Sequence, residues 1–158
     1  EQGREPQMNT YSRSLFAAIA VLVASPVAAS AAAEMTVYKT PWCGCCHAWA
    51  EAVEKAGYQV STVDLEDLSS IRKQAGVPAE MEGCHIAAVD GYFLEGHVPL
   101  EAVKKLLSER PNVAGLAAPG MPQGSLGMGD DPSASYEVYA VPRQASEAPQ
   151  VFYRAGGK

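Results

Sequence analysis

The sequence predicts an α/β domain in which helices flank a mixed β-sheet. Segments rich in β-forming residues alternate with segments of helical periodicity between residues 35 and 109, in the order β-α-β-α-β-β-α. The first strand–helix–strand unit favours parallel pairing. Asp90-Gly91, which lies between two apolar runs, indicates a hairpin and therefore antiparallel pairing. Both kinds of pairing in one small chain predict a mixed sheet.

Length and composition narrow the function classes. The chain has 158 residues, about the length of one domain. Hydrophobic residues make up 47% of it and charged residues 19%, which is enough apolar side chain to build a core. The net charge of −6 argues against nucleic-acid binding, because a phosphate backbone selects for a basic surface.

The N-terminal residues 1–33 have the features of a secretory signal peptide. Arg13 precedes an apolar core, Leu15–Ala24, and small residues follow up to Ala33, where an Ala-x-Ala site ends. A translation start at Met8 would give a compact signal peptide. We therefore predict export to the periplasm, with cleavage and no stable membrane association afterwards. An uncleaved anchor and a buried helix are the alternatives, although a span over residues 15–33 would be barely long enough.

The first half of the mature chain contains two strands and a helix between them. Met35–Tyr38 favours a short strand, and Tyr58–Leu65 a second one. Between them, apolar residues at helical spacing predict a helix over Cys46–Ala56, which Gly57 ends in the position that glycine prefers.

The next segment predicts a short helix, the hairpin and a longer helix. Asp67 can cap the short helix, which Gly76 ends. The hairpin strands are His85–Val89 and Tyr92–Gly96, and the longer helix runs over Pro99–Glu109.

Beyond Pro111 the glycine and proline content rises. Gly115–Pro132 predicts a long irregular loop rich in Gly, Pro and Met. Tyr136–Ala140 predicts a C-terminal strand, and Val151–Tyr153 a weaker one. We therefore assign residues 34–140 to the domain and residues 141–158 to a C-terminal tail.

Three of the four cysteines, Cys43, Cys45 and Cys46, lie between the first strand and the first helix. A helix N-terminus stabilises a thiolate through its free N–H groups and its dipole. Cys84 comes 38 residues after Cys46, just before the hairpin. If the first and third strands are antiparallel neighbours, the loops that carry the four thiols meet at the same sheet edge.

The spacing of these thiols favours copper over zinc. Structural zinc sites use paired cysteines with two to four residues between them, and adjacent cysteines do not suit one tetrahedral ion. Bridging thiolates shared among several Cu(I) ions tolerate crowded sulfurs, and soft ligands select Cu(I).

Four motifs in order resemble those of the periplasmic copper-resistance family CopG (unrelated to the plasmid repressor of that name). They are Trp42–Cys46 (WCGCC), Glu82–His85 (EGCH), Tyr92–Pro99 (YFLEGHVP) and Gly115–Met128 (GLAAPGMPQGSLGM). The likeness covers about residues 35–139. It implies a thioredoxin-like fold and a role in copper handling under metal stress, for which a redox cycle is one mechanism. It also implies a copper site whose thiolate ligands are Cys43, Cys45, Cys46 and Cys84.

Two other uses of the cysteines stay open. Cys43 and Cys46 have the Cys-x-x-Cys spacing of thiol–disulfide oxidoreductases, in which they would be the catalytic pair. Val77-Pro78 stands where such folds often carry a cis-proline. Static structural disulfides are the second alternative. The extra thiols favour a metal, since a spare neighbour would scramble a catalytic disulfide.

Five further side chains are candidate copper ligands, each with a plainer alternative. His47 can be an exposed residue of the first helical turn, and strand alternation predicts His85 on the opposite sheet face. His97 can face solvent or fill a loop. Met121 and Met128 can supply thioethers or simply pack the loop against the domain. The expected partners are copper ions and periplasmic copper-export or redox proteins.

Overall fold

A computed structural model describes Gly3, residues 32–129 and residues 131–156. The helices are α1 (Gly44–Lys55), α2 (Ser69–Ala75) and α3 (Leu100–Glu109). The strands are β1 (Glu34–Lys39), β2 (Gln59–Asp64), β3 (Ile86–Val89), β4 (Tyr92–Gly96), β5 (Gly115–Ala118), β6 (Tyr136–Val141) and β7 (Gln150–Ala155). A short 3₁₀ turn, Ala79–Met81, precedes β3.

The strands form one mixed sheet in the order β2-β1-β3-β4-β5-β6-β7. The β1–β2 and β4–β5 pairs are parallel, and the other pairs are antiparallel. The predicted α/β class with a mixed sheet is therefore confirmed. Because β1 lies antiparallel to β3, the end of β1 lies beside the start of β3, with Tyr38 opposite Ile86.

Alternate residues of the sheet enter two apolar layers. Leu94 and Leu116 belong to a core that also contains Trp49 of α1 and Leu106 of α3. Residues of the other face belong to a smaller core, against which Ile71 of α2 packs. Helices thus flank both faces of the sheet. Helix α1 begins near the C-terminal end of strand β1.

The hairpin has the predicted turn. Asp90 and Gly91 have φ angles of 49° and 79°, so both residues adopt the positive φ that a type I′ turn requires. The two-residue turn sets the register between β3 and β4: Val89 pairs with Tyr92, and Ile86 pairs with Glu95. The strand bounds agree with those predicted to within one residue.

The segment after Pro111 differs from the expected loop. Gly115–Ala118, expected to be irregular, is the fully buried strand β5. Glycine suits position 115, since a Cβ there would overlap the Phe93 carbonyl oxygen. The expected tail, residues 141–158, contains β7, which pairs with β6 at the sheet edge.

The apolar core of the predicted signal peptide, Leu15–Ala24, lies outside the described residues. Within the described part of the chain, no helix has the length and apolar character needed to cross a membrane.

Candidate metal centre

Cys43 caps the N-terminus of α1. Its sulfur accepts a hydrogen bond from the Cys46 backbone N–H at 3.3 Å, as expected for a sulfur at a helix N-terminus. A disulfide joins Cys43 to Cys46, with 5.3 Å between the Cα atoms. Cys46 is fully buried and Cys43 is half-buried, so Cys43 is the sulfur of this pair that solvent reaches more readily.

The two free thiols lie beside the disulfide. The Cys45 sulfur is 3.5 Å from that of Cys43 and 4.0 Å from that of Cys84. The four sulfur atoms all lie within 4.8 Å of one another. Cys84 thus reaches the other three cysteines, because β1 and β3 are antiparallel neighbours. The loop after β1 and the loop before β3 therefore lie side by side.

His97 contacts the cluster through Cys84. Its Nδ1 lies 2.7 Å from the Leu126 carbonyl oxygen, and its Nε2 lies 2.8 Å from the Cys84 sulfur. Since a carbonyl only accepts, Nδ1 carries the proton and Nε2 presents its lone pair to the sulfur. Burial lowers the pKa of His97. A neutral imidazole held by a carbonyl in this way is a typical orientation for a metal ligand.

His85 lies on the same side of the sheet as α1, so the expected placement on the opposite face is wrong. Its ring centroid is 4.5 Å from that of Trp49 and 5.1 Å from that of His97. Its Nδ1 is 3.6 Å from the Cys84 sulfur. Burial, with a smaller effect of His97, lowers the pKa of His85 to about 3, so this ring is neutral.

Burial also shifts the protonation of Cys84. Burial, followed by the neighbouring Cys45 sulfur, raises the pKa of the Cys84 thiol to about 12. Without a metal this sulfur is therefore a neutral thiol in neutral solution. A cation bound there would have to displace its proton.

Glycines hold the Cys84 loop against the sheet. A Cβ on Gly83 would lie 2.6 Å from the Gly96 Cα, so the two backbones touch directly. The Gly120 N–H donates a hydrogen bond to the Glu82 carbonyl at 2.9 Å, and Gly120 forms an isolated parallel β-bridge with Gly83. The loop that carries Cys84 is thus fixed on both sides.

A buried ion pair contacts the same loop. Glu95 is fully buried in β4, and its Oε1 lies 2.8 Å from Nη2 of Arg72 in α2. Burial raises the pKa of Glu95, while Arg72 opposes this shift. Neither residue was predicted from the sequence. An acid inside the apolar run of β4 could have indicated Glu95, whereas nothing in the sequence singles out Arg72.

The other three candidate ligands, His47, Met121 and Met128, are exposed or half-buried. The His47 side chain is 63% exposed and pairs with Glu51 at 3.3 Å. Met121 is 58% exposed. Met128 is half-buried beside Gly127, which packs on the first turn of α1. The Val77–Pro78 bond is trans, like every peptide bond of the described residues.

The cluster combines soft and borderline donors in one place. Cys84, His85 and His97 also form a set whose ligand atoms lie within 4.8 Å of one another. Four sulfurs beside two neutral imidazoles are the donor types that Cu(I) and other thiophilic ions prefer. The disulfide withholds two of the sulfurs, so the complete donor set requires its reduction.

Comparisons with known proteins agree with this geometry. Residues 81–128 match a family described as "Protein of unknown function, DUF411". No curated protein matches the chain in sequence. Two solved structures, forms 1 and 2 of "Copper resistance protein copG", are 37% identical to it with a TM-score of 0.70. Each match covers 78% of this chain and 98% of the solved chain. The chain therefore belongs to the CopG family of copper resistance proteins.

Proposed function

We propose that this protein binds several Cu(I) ions at once, bridged by the thiolates of Cys43, Cys45, Cys46 and Cys84. The observation that carries the proposal is the convergence of four sulfur atoms within 4.8 Å, one of them from a distant loop. The name of the solved relatives adds support, because those proteins are called copper resistance proteins.

The crowding of the sulfurs supports a multinuclear site. The Cys45 sulfur contacts that of Cys43 at 3.5 Å and that of Cys84 at 4.0 Å. Thiolates this close repel one another unless cations lie between them, and a bridging sulfur shared by two Cu(I) ions removes that repulsion. His97 and His85 are placed to complete the coordination of an ion that is bound to Cys84.

Metal analysis of the reduced full chain tests this proposal. After anaerobic reduction and removal of unbound metal, we expect more than one Cu(I) per chain. The Cys84→Ser variant should lose most of the copper. His47→Gln is a matched control, because that exposed imidazole pairs with Glu51 rather than with the cluster. Loading of at most one ion in the unmodified chain, or full loading in Cys84→Ser, would contradict the proposal.

The Cys43–Cys46 disulfide favours a second function, in which the site also transfers electrons to copper. In this step the two thiols form one disulfide and release two protons, while two Cu(II) ions each take one electron and become Cu(I). Cys43 and Cys46 would then be catalytic, and a dithiol partner would restore the thiols through exchange.

Thiol counting distinguishes this function from simple copper storage. Addition of two equivalents of Cu(II) to the reduced chain should remove two thiols and yield two Cu(I). A storage protein would keep its thiol count. A metal-independent thiol–disulfide oxidoreductase, the remaining alternative, would reduce a disulfide substrate equally well in the presence of a Cu(I)-specific chelator.

We also propose that the protein acts in the periplasm, after removal of residues 1–33, and that the remaining domain is thioredoxin-like. The support is the arrangement of Arg13, the apolar run Leu15–Ala24 and the small residues before Glu34. A copper-export or redox protein of the same compartment is the expected partner. Mass spectrometry of the periplasmic fraction should find a chain that begins at Glu34, whereas an intact N-terminus would contradict cleavage.

A further inference from the structure

The backbone of Gly83 is held at both of its polar groups by one ion pair. Its N–H donates to Glu95 Oε1 at 2.8 Å, and its carbonyl accepts from Arg72 at 2.6 Å. Arg72 also donates to Glu95 Oε1, at 3.0 Å through Nε. The three groups therefore form a closed ring, and Gly83 is the residue directly before Cys84.

The ion pair of this ring links two elements to the Cys84 loop. Arg72 belongs to α2 and Glu95 belongs to β4, where Glu95 is fully buried. Within the described residues, the second carboxylate oxygen of Glu95 has no hydrogen-bond partner. Burying a carboxylate with one oxygen unpaired is costly. A purely apolar residue would serve the core at this position better, which indicates another use for the charge.

We propose that Glu95 and Arg72 are positioning residues for Cys84, because they clamp the Gly83 peptide and thereby fix the Cys84 sulfur beside Cys45. The inference rests on the proposed function insofar as Cys84 is a copper ligand. Without the clamp the Cys84 loop can move away from α1, so the site holds its metal less tightly. Removal of such a supporting contact typically lowers metal affinity by about 10–100-fold.

The double variant Arg72→Met/Glu95→Leu tests the proposal without leaving a buried charge unpaired, so the fold is retained more readily than in Glu95→Ala. The matched control, Arg154→Met/Glu137→Leu, removes an ion pair between β6 and β7. Chelator competition on the reduced full chain should give a Cu(I) affinity about 10–100-fold lower for the first variant and no change for the control. In Glu95→Gln, where the amide oxygen can still accept from Gly83, the affinity should be restored to within about threefold.

A copper-free measurement separates this inference from the proposed function. In the metal-free chain with the Cys43–Cys46 disulfide intact, Cys45 and Cys84 are the free thiols. Maleimide should label Cys84 roughly tenfold faster in the double variant than in the unmodified chain, with Cys45 as internal reference.

An affinity or a Cys84 labelling rate within threefold of the unmodified chain would overturn the inference, as would a Glu95→Gln variant as weak as the double variant. If the unmodified chain binds no copper, the proposed function fails, while the labelling experiment still decides whether the clamp positions Cys84.

Discussion

Gly127 is the position where the loop after β5 contacts the candidate metal centre most tightly. Its φ is +80°, and a Cβ there would lie 2.8 Å from both the Cys45 carbonyl oxygen and the Trp49 backbone nitrogen. Both are backbone atoms of α1 and cannot rotate away. The neighbouring Leu126 carbonyl holds His97 at 2.7 Å, so a shift of the loop at Gly127 reaches the site.

The cost of Gly127→Ala follows from two effects. A non-glycine residue at positive φ costs about 1–2 kcal/mol. The added methyl group must also recede by about 0.6 Å to reach an ordinary 3.4 Å contact, and such overpacking costs about 1–3 kcal/mol. We therefore expect a loss of about 2–5 kcal/mol in the free energy of unfolding.

Gly76→Ala is the matched control, since Gly76 has φ +75° and no atom within 4 Å of its Cβ position. It should lose only the strain of about 1–2 kcal/mol. Urea unfolding of the metal-free full chain measures both variants, and copper analysis should show a further loss of bound metal in Gly127→Ala alone. Equal destabilisation of the two variants would refute the contact between this loop and α1.

Three other predictions address the sulfurs and their support. Cys45→Ser should strip most of the copper, because this sulfur contacts those of both Cys43 and Cys84; metal analysis that finds full stoichiometry would exclude a bridging role. Trp49→Phe leaves the buried Val98 carbonyl without its 2.9 Å donor and should cost about 1–3 kcal/mol in urea unfolding, so unchanged stability would be a contradiction. Because the pKa of Cys84 is raised to about 12, Cu(I) binding displaces its proton. Acidification should therefore weaken the apparent Cu(I) affinity by about tenfold per pH unit for this thiol. Chelator competition that gives a constant affinity from about pH 6 to pH 8 would refute this prediction.

The sequence predicts those features that depend on local chemistry. Asp90-Gly91 specifies the hairpin through the φ angles that its turn requires, and the Cys43 sulfur caps α1 as the helix start predicts. The convergence of Cys84 with the other cysteines was also predictable, because the first crossover and the hairpin favour β1 and β3 as neighbours.

Other features depend on tertiary contacts that have no local signature. Three of the four residues of β5 are glycine or alanine, and its identity depends on pairing with β4 and β6 rather than on intrinsic β-preference. The placement of His97 depends on the carbonyl of Leu126, 29 residues away, and that contact exists only when the loop packs on α1. Arg72 contacts Glu95 only because α2 covers that face of the sheet.

X-ray absorption at the copper edge of the reduced, Cu(I)-loaded full chain tests directly whether the four cysteines hold a copper cluster. We expect sulfur neighbours around copper together with a second copper atom at short distance, as thiolates that bridge several ions require. A spectrum with nitrogen and oxygen neighbours only, or with no copper–copper scattering, would contradict a cluster built on these four sulfurs.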